Sequence, residues 1–223
     1  MTTTPSPAPP VLPALPAQAD RLIHLGVHTT AGLTADALRR AAADGPADGL
    51  LVVSPTCAPV SALAPLLSLG GRSGFVVQDM TDVDDFMPLP DLDVPTTPVY
   101  VIEPPDRGDD LANWSPDEAL VELTARGRSP LTLAEGVHWA LQVPGVLERN
   151  RCFMTIGSRR VGARGRLDAR TPALWISGGT GRDGRERRGA PKVGWCWAGN
   201  RHTWLGFAST TARHAVASGG QEA

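Results

Sequence analysis

The sequence has little cysteine and almost no lysine. Its three cysteines are far apart and odd in number, so they indicate neither a disulfide framework nor the paired ligand spacing of a zinc site. We therefore expect a cytoplasmic protein with no bound metal. Lys192 is the one lysine among 21 basic residues. The remaining basic residues are arginines, which are suited to forked contacts with phosphate or carboxylate groups.

The amino terminus lacks the features of a targeting segment. No basic residue precedes Arg21, and prolines interrupt the apolar residues of positions 1–17. A signal peptide has an early positive charge and a continuous apolar stretch, and a membrane-spanning helix has about 20 apolar residues. We therefore expect no membrane association. The composition predicts a disordered proline-rich leader at 1–17, with contact to a protein partner as its alternative role.

Charge is distributed unevenly along the chain. Residues 149–213 contain 14 basic against 3 acidic residues, a balance of +11, and the remainder contains 7 against 20, a balance of −13. Two explanations fit this asymmetry. Either the two parts neutralise each other across an interface, or the basic part presents an anion-binding surface.

Residues 18–213 are predicted to form a single α+β domain, with an N-terminal part at 18–110, a C-terminal part at 111–213 and a flexible tail at 214–223. In the N-terminal part, helical patterns precede a strand-like run at 50–54, an apolar helix at 61–69 and a second strand at 75–78. This order predicts a β-α-β unit with two parallel strands. A third strand is predicted at 98–103.

Two helices have clearly marked starts. Ser115 lies three residues before Glu118, and Thr132 lies three residues before Glu135. A serine or threonine followed at this spacing by glutamate is a capping box, in which each side chain binds the backbone N–H of the other residue. We therefore predict two capped helices, the first of which ends near position 125.

The pattern becomes alternating after the second helix. It predicts a four-stranded antiparallel meander with strands at 152–158, 172–177, 193–198 and 202–208. The last two strands flank Gly199 and Asn200, a pair that is typical of a two-residue hairpin turn. In such a hairpin Trp195 faces Trp204, and one face of the sheet carries a group of aromatic residues: Trp195, Trp197, His202 and Trp204. This face either packs against the helices as part of the core or is exposed to a ligand.

A loop rich in glycine and arginine at 178–192 precedes this hairpin. Clustered glycines leave backbone N–H groups free to hold an anion, and the arginines add positive charge. The loop lacks the lysine followed by serine or threonine of a Walker loop. Together with the aromatic face it predicts binding of an anionic ligand, either a nucleotide or a nucleic acid. The residues expected to bind it are Arg182, Arg185, Arg187, Arg188, Lys192, Trp195, Trp197, His202 and Trp204.

Two other functions fit the same sequence. An enzyme would use His202 with neighbouring polar groups, and a protein-interaction module would use the proline-rich leader. A thiol–imidazole pair of Cys196 with His202 is disfavoured, because the hairpin register places the two side chains on opposite faces. The sequence selects no catalytic residue and no cofactor.

Several segments are similar to a known family. They are Gly74-Phe75-Val-Val with Asp79-Met-Thr-Asp82, then SPDEAL, SPLTLAEG and CFMTIGSR, and finally RTPALWISGGTGRDG with APKVGWCWAGNRHTWLGFAS. On these motifs residues 18–213 resemble an actinobacterial family of uncharacterised proteins, a domain of unknown function. The resemblance implies no activity and no site residues.

Overall fold

The structure, a computed structural model, describes residues 11–216. Six α-helices lie in this range: α1 (Leu15–His24), α2 (Val27–Thr30), α3 (Ala35–Asp44), α4 (Val60–Leu63), α5 (Pro116–Ala125) and α6 (Leu133–Gln142). The strands of the same range are β1 (Leu50–Val53), β2 (Ser68–Leu69), β3 (Arg72–Ser73), β4 (Phe75–Val76), β5 (Phe86–Pro88), β6 (Val99–Ile102), β7 (Ser129–Pro130), β8 (Cys152–Met154), β9 (Ser158–Arg160), β10 (Arg170–Ile176), β11 (Pro191–Trp197), β12 (Leu205–Phe207), β13 (Ser209–Thr210) and β14 (Arg213–Ala215). This content confirms a mixed α+β protein.

The longer strands form two sheets. One has the order β1-β6-β14 and the other the order β12-β8-β10-β11-β4, and the remaining strands form three two-stranded pairs. The predicted β-α-β unit is wrong, because β1 pairs antiparallel with β6 while β4 pairs in parallel with β11 in the other sheet. Helix α4, a 3-10 helix at Ala64–Leu66 and the antiparallel pair of β2 with β3 lie between them. The β2–β3 pair reverses the chain just before β4, and β4 then joins the edge of the other sheet beside β11.

The predicted meander is only partly correct. Strands β8, β10 and β11 are antiparallel neighbours, but β12 lies beyond β8 and runs parallel to it. The predicted hairpin is therefore wrong, and Trp195 does not pair with Trp204. Gly199 does not take the positive φ of a primed turn. The N–H of Cys152 instead donates to the carbonyl of Trp204, which starts β12 beside β8.

Residues 198–204 cross the end of the sheet instead of forming a tight turn. Along this connection the N–H of Asp117 donates to the carbonyl of Ala198, and the N–H of Asn113 donates to the carbonyl of His202. Buried backbone groups need such partners, and here distant residues supply them.

Helix α6 lies between the two sheets, and all ten of its residues are buried. The Nε2 of His138 accepts a hydrogen bond from the backbone N–H of Val53 in β1 at 3.2 Å, while its Nδ1 lies 2.8 Å from the carbonyl of Ala134. On the other side, the ring of Trp139 packs on Phe153 of β8, with centroids 5.4 Å apart. A helix between two sheets is buried on every face, and its polar residues Glu135, His138 and Gln142 each form hydrogen bonds to neighbouring elements.

Both predicted capping boxes are confirmed. Ser115 and Glu118 cap α5, and Thr132 and Glu135 cap α6, with the reciprocal hydrogen bonds present in each case. Helix α5 ends at Ala125, as predicted. None of the helices in residues 11–216 combines the length and the apolar character that a membrane span requires.

The ends of the domain differ from the prediction. Helix α1 starts at Leu15, which is almost fully buried, so the folded part begins inside the predicted leader. At the other end, β14 places residues 213–215 in a sheet, although the flexible tail was expected to begin at 214. The remaining parts of the leader and tail, residues 1–10 and 217–223, lie outside the described residues.

Ion pairs join the acidic and basic parts of the chain. Asp82 lies 2.6 Å from the Nη2 of Arg170 and 2.7 Å from the Nη1 of Arg160, and Asp79 pairs with Arg182 at 3.1 Å. The Arg170 guanidinium holds the pKa of Asp82 below its usual value. Part of the charge asymmetry is therefore neutralised within the fold, and the arginines outside such pairs are the ones to consider for ligands.

Candidate ligand-binding site

One row of residues crosses the whole five-stranded sheet near one end. Strand register aligns neighbouring strands in the order Leu205, Cys152, Trp175, Lys192 and Phe75. Aligned residues on adjacent strands point to the same face of a sheet. Three connecting segments meet at this end of the sheet: the segment before β8, the loop between β10 and β11, and the segment before β12.

An aromatic pocket of about 510 Å³ opens beside this row. Its aromatic and imidazole members are Trp175, Trp195, His202 and Trp204. The rings of His202 and Trp204 are stacked, with centroids 4.6 Å apart and planes inclined by 19°. Trp204 is half exposed, at 52%. The complete lining comprises Asn150, Arg151, Cys152, Ala173, Trp175, Ile176, Gly178, Trp195, Cys196, His202, Trp204 and Leu205.

Two thiols also line the aromatic pocket. Burial raises the pKa of Cys152 far above its usual value, and burial also raises the pKa of Cys196. Both thiols are therefore protonated near neutral pH, and a protonated thiol is a poor nucleophile. Cys196 and His202 share this cavity, although the predicted hairpin placed them on opposite faces. The described residues form no hydrogen bond to the His202 ring and show no catalytic pair here.

An arginine cleft of about 530 Å³ lies next to the aromatic pocket. Its basic members are Arg72, Arg149, Arg185 and Arg188, and all four are exposed. No acidic side chain of residues 11–216 lines it; the other lining residues are Leu69, Gly70, Ile176 and Gly189. The Nη1 of Arg72 donates to the carbonyl of Glu186 at 3.2 Å, which ties the β3 segment to the loop.

The glycine- and arginine-rich loop is held by internal polar contacts. Asp183 accepts hydrogen bonds from the Nζ of Lys192 at 2.7 Å and from the Oγ of Ser177 at 2.8 Å. The Oγ of Ser177 also accepts from the N–H of Gly179. Gly179 has φ of 68°, and a Cβ at this position would overlap with the side chain of Arg188. The loop is thus an anchored structure with short 3-10 segments.

The predicted binding residues fall into separate groups. Arg185 and Arg188 line the arginine cleft, and Trp195, His202 and Trp204 line the aromatic pocket. The other four residues of the predicted set are engaged elsewhere: Arg182 with Asp79, Arg187 over the ring of Phe75 at 4.3 Å, Lys192 with Asp183 and over the ring of Trp175 at 4.7 Å, and Trp197 edge-on to Trp195 at 4.6 Å.

The predicted binding set lacks four arginine and tryptophan residues that line these cavities: Arg72, Arg149, Arg151 and Trp175. The three arginines lie outside the loop, and Trp175 lies in the predicted strand 172–177, outside the hairpin to which the aromatic face was assigned. The basic residues Arg149 and Arg151, which precede β8, are the one sequence signal that could have indicated a basic group near the site. Their position beside the loop follows from the antiparallel pairing of β8 with β10, which brings the start of β8 next to the end of β10.

The two cavities adjoin each other. Ile176 lines both of them, and the chain passes from Arg149 in the cleft to Asn150 and Arg151 in the pocket. Asn150 has φ of 60°, a left-handed conformation that asparagine tolerates better than most residues. This residue turns the chain at the boundary between the two cavities.

These features define a mixed α+β domain with a two-part surface cavity, aromatic on one side and rich in arginine on the other. The chain belongs to DUF5701, a family of unknown function, whose model matches residues 21–216. Neither the curated proteins nor the solved structures contain a significant match.

Proposed function

We propose that this protein binds an anionic ligand, a nucleotide or a nucleic acid, at the arginine cleft and the aromatic pocket. The observation that supports this proposal is the set of charged residues that line the cleft. Four arginines line one concave surface, and no carboxylate of the described residues lines it with them. Concave sites with charges of one sign attract ligands of the opposite sign.

The arginines of the cleft are suited to an anion in geometry as well as in charge. Arg149, Arg185 and Arg188 form no ion pair with the described residues, so their guanidinium forks are available for bidentate contacts with phosphate oxygens. Crowding like charges costs free energy, and a bound anion would relieve that cost. The neighbouring tryptophans offer apolar surface to a ring.

Isothermal titration calorimetry at low salt tests the proposal. The probes are sodium tripolyphosphate, ATP and a 20-nucleotide single strand of thymidine. We expect at least one probe to bind, and we expect the affinity to fall steeply as salt rises because phosphate contacts are electrostatic.

Matched variants assign the binding to the cleft. The double variant Arg185→Gln/Arg188→Gln should lose at least tenfold in affinity, whereas Arg182→Gln, in the same loop but paired with Asp79, should stay within about twofold. The proposal is wrong if no anionic probe binds at low salt, or if the double variant binds as tightly as the natural protein.

A location and a source complete the proposal. The protein has three cysteines that lie far apart in the sequence, and this number and spacing support a cytoplasmic location. The resemblance of its motifs to an actinobacterial family supports an actinobacterial source. Fractionation of cells that express the protein from its own gene would test the location.

A further inference from the structure

We infer that the ligand is a discrete small molecule that carries an aromatic ring and two or three linked phosphate groups, with the ring in the aromatic pocket and the phosphates in the arginine cleft. This inference rests on the proposed function. It narrows the anionic ligand to one class, and it excludes a nucleic acid strand as the main ligand.

The sizes of the cavities favour a small molecule. The aromatic pocket has a volume of about 510 Å³ and the arginine cleft about 530 Å³. Sites for small molecules and cofactors usually measure about 300 to 1,000 Å³ and combine apolar surface with a few polar groups. Each cavity lies in this range, and the two adjoin at Ile176.

The separation of rings from charges favours one ligand with two ends. A groove that binds a single nucleic acid strand presents aromatic rings and positive charges along its whole length. Successive bases stack on the rings, and the positive charges contact the phosphate backbone. Here the rings are confined to one cavity and the unpaired arginines to the other. Arg151, which lines the aromatic pocket, forms an ion pair with Asp109 at 3.0 Å. The aromatic pocket therefore has no arginine without an acidic partner among the described residues.

The distance between the two cavities suits a compact ligand. Arg149 lines the cleft and Arg151 lines the aromatic pocket. Two residues of chain span at most about 7 Å. A ring and a phosphate group that belong to one molecule can therefore occupy both sides of this short segment.

The charge of the cleft favours more than one phosphate group. A single phosphate group carries at most about two negative charges near neutral pH, whereas the cleft presents four guanidinium groups. A diphosphate or triphosphate matches this charge more closely and offers more oxygens to the forked donors.

Trp204 and Trp197 provide a matched pair for testing the ring. Both are about half exposed, at 52% and 47%, and both belong to the segment that follows the loop. Trp204 lines the aromatic pocket, whereas Trp197 does not. Replacing either exposed side chain should leave the fold intact, so a difference in ligand affinity between the two variants reports contact with the ring.

The experiment compares tripolyphosphate, the four ribonucleoside triphosphates and 20-nucleotide thymidine on the full chain by calorimetry at one low salt concentration. We expect at least one nucleoside triphosphate to bind tenfold or more tightly than tripolyphosphate. Trp204→Ala should remove most of that advantage, since stacking of a base on one aromatic ring typically raises the affinity about 5- to 150-fold. Trp204→Ala should leave tripolyphosphate binding unchanged. Trp197→Ala should also leave it unchanged, and it should reduce nucleoside triphosphate affinity much less than Trp204→Ala does, because the Trp197 ring contacts the pocket residue Trp195 from outside the cavity.

Each other outcome has a definite meaning. Equal affinity for tripolyphosphate and every nucleoside triphosphate would overturn the ring assignment and leave the proposed anion site standing. Tighter binding of the thymidine strand than of any nucleoside triphosphate would overturn the small-molecule class in favour of nucleic acid. Failure of every probe to bind would overturn the proposed function as well. Thermal unfolding of each variant, compared with the natural protein, separates loss of binding from loss of fold.

Discussion

The carboxylate of Asp183 lies 2.7 Å from the Nζ of Lys192, and both side chains are largely shielded from solvent, with 11% and 14% of their surface exposed. The lysine belongs to β11 and the aspartate to the loop before it. This ion pair therefore closes the glycine- and arginine-rich loop against the sheet. It also neutralises the one lysine of the chain, so Arg185 and Arg188 are the basic residues of the loop that line the arginine cleft without an ion pair to the described residues.

We predict that Asp183→Asn loosens the loop. The substitution leaves the shielded ammonium of Lys192 without its counter-ion and weakens the bond from Ser177, so we expect a loss of about 1 to 3 kcal/mol in the free energy of unfolding. Urea denaturation measures this loss, and trypsin should cleave after the loop arginines faster than in the natural protein. The control is Asp79→Asn, whose partner Arg182 is 76% exposed; it should cost less than about 1 kcal/mol. Equal effects of the two substitutions would contradict the prediction.

The buried ion pair of Glu135 with Arg213 should make a large contribution to stability. The two oxygens of Glu135 lie 2.6 and 2.9 Å from the Nε and Nη2 of Arg213, and the Tyr100 hydroxyl donates to the same carboxylate. Arg213→Met leaves a buried carboxylate without its cation, which typically costs about 3 to 5 kcal/mol. The measurement is urea denaturation at pH 7.

Two comparisons make the ion-pair prediction specific. Arg39→Met breaks two exposed pairs, with Asp20 and Asp36, and should cost less than about 1 kcal/mol. Combining Arg213→Met with Glu135→Gln removes the uncompensated charge and should recover part of the loss. A cost below about 1 kcal/mol for Arg213→Met alone would show that the pair contributes little.

Stability should fall in mild acid because of His138. Burial lowers the pKa of His138 to about 4 from 6.5, so between these values the unfolded chain binds a proton that the folded chain does not. The contribution of His138 is therefore fully present above pH 6.5 and is lost as the pH falls towards 4. The loss amounts to about 3 kcal/mol for an isolated group. Unfolding free energies measured from pH 7 to pH 4.5 test this slope.

The controls for the pH prediction are histidine variants. His138→Gln should flatten the slope relative to the natural protein, whereas His24→Gln, at an exposed position, should retain it. If His138→Gln does not fold, the ring signals of His138 in the natural protein can be followed by NMR instead. Titration of that ring near pH 6.5 would contradict the prediction.

Gly136 allows α6 to approach the five-stranded sheet. A Cβ at this position would overlap with Thr155 and lie 3.3 Å from atoms of Leu174 and Phe153. Gly136→Ala should therefore destabilise the protein by about 1 to 3 kcal/mol, although alanine is the better helix former. Gly145→Ala has open space around it and no positive φ, so it should be neutral or slightly stabilising. Thermal unfolding compares the two, and a stabilising Gly136→Ala would refute the close approach.

Local patterns in the sequence determined the parts of the fold that depend on neighbouring residues. Both capping boxes were predictable because each joins residues three positions apart, as with Ser115 and Glu118. The antiparallel run of β8, β10 and β11 followed from alternation and intervening loops. The basic character of the 178–192 loop, and the family resemblance, were also evident from the residues alone.

Only the tertiary structure decided where β12 lies and which residues form the candidate site. The choice between β11 and β8 as the partner of β12 depends on bonds from distant residues, among them Cys152 and Asn113, to the segment before β12. No local pattern encodes such pairing. For the same reason Arg72 and Arg149 join Arg185 and Arg188 in one cleft only after the sheets and loops are assembled. The sequence by itself determined the residue types of the site, and long-range strand pairing determined its members.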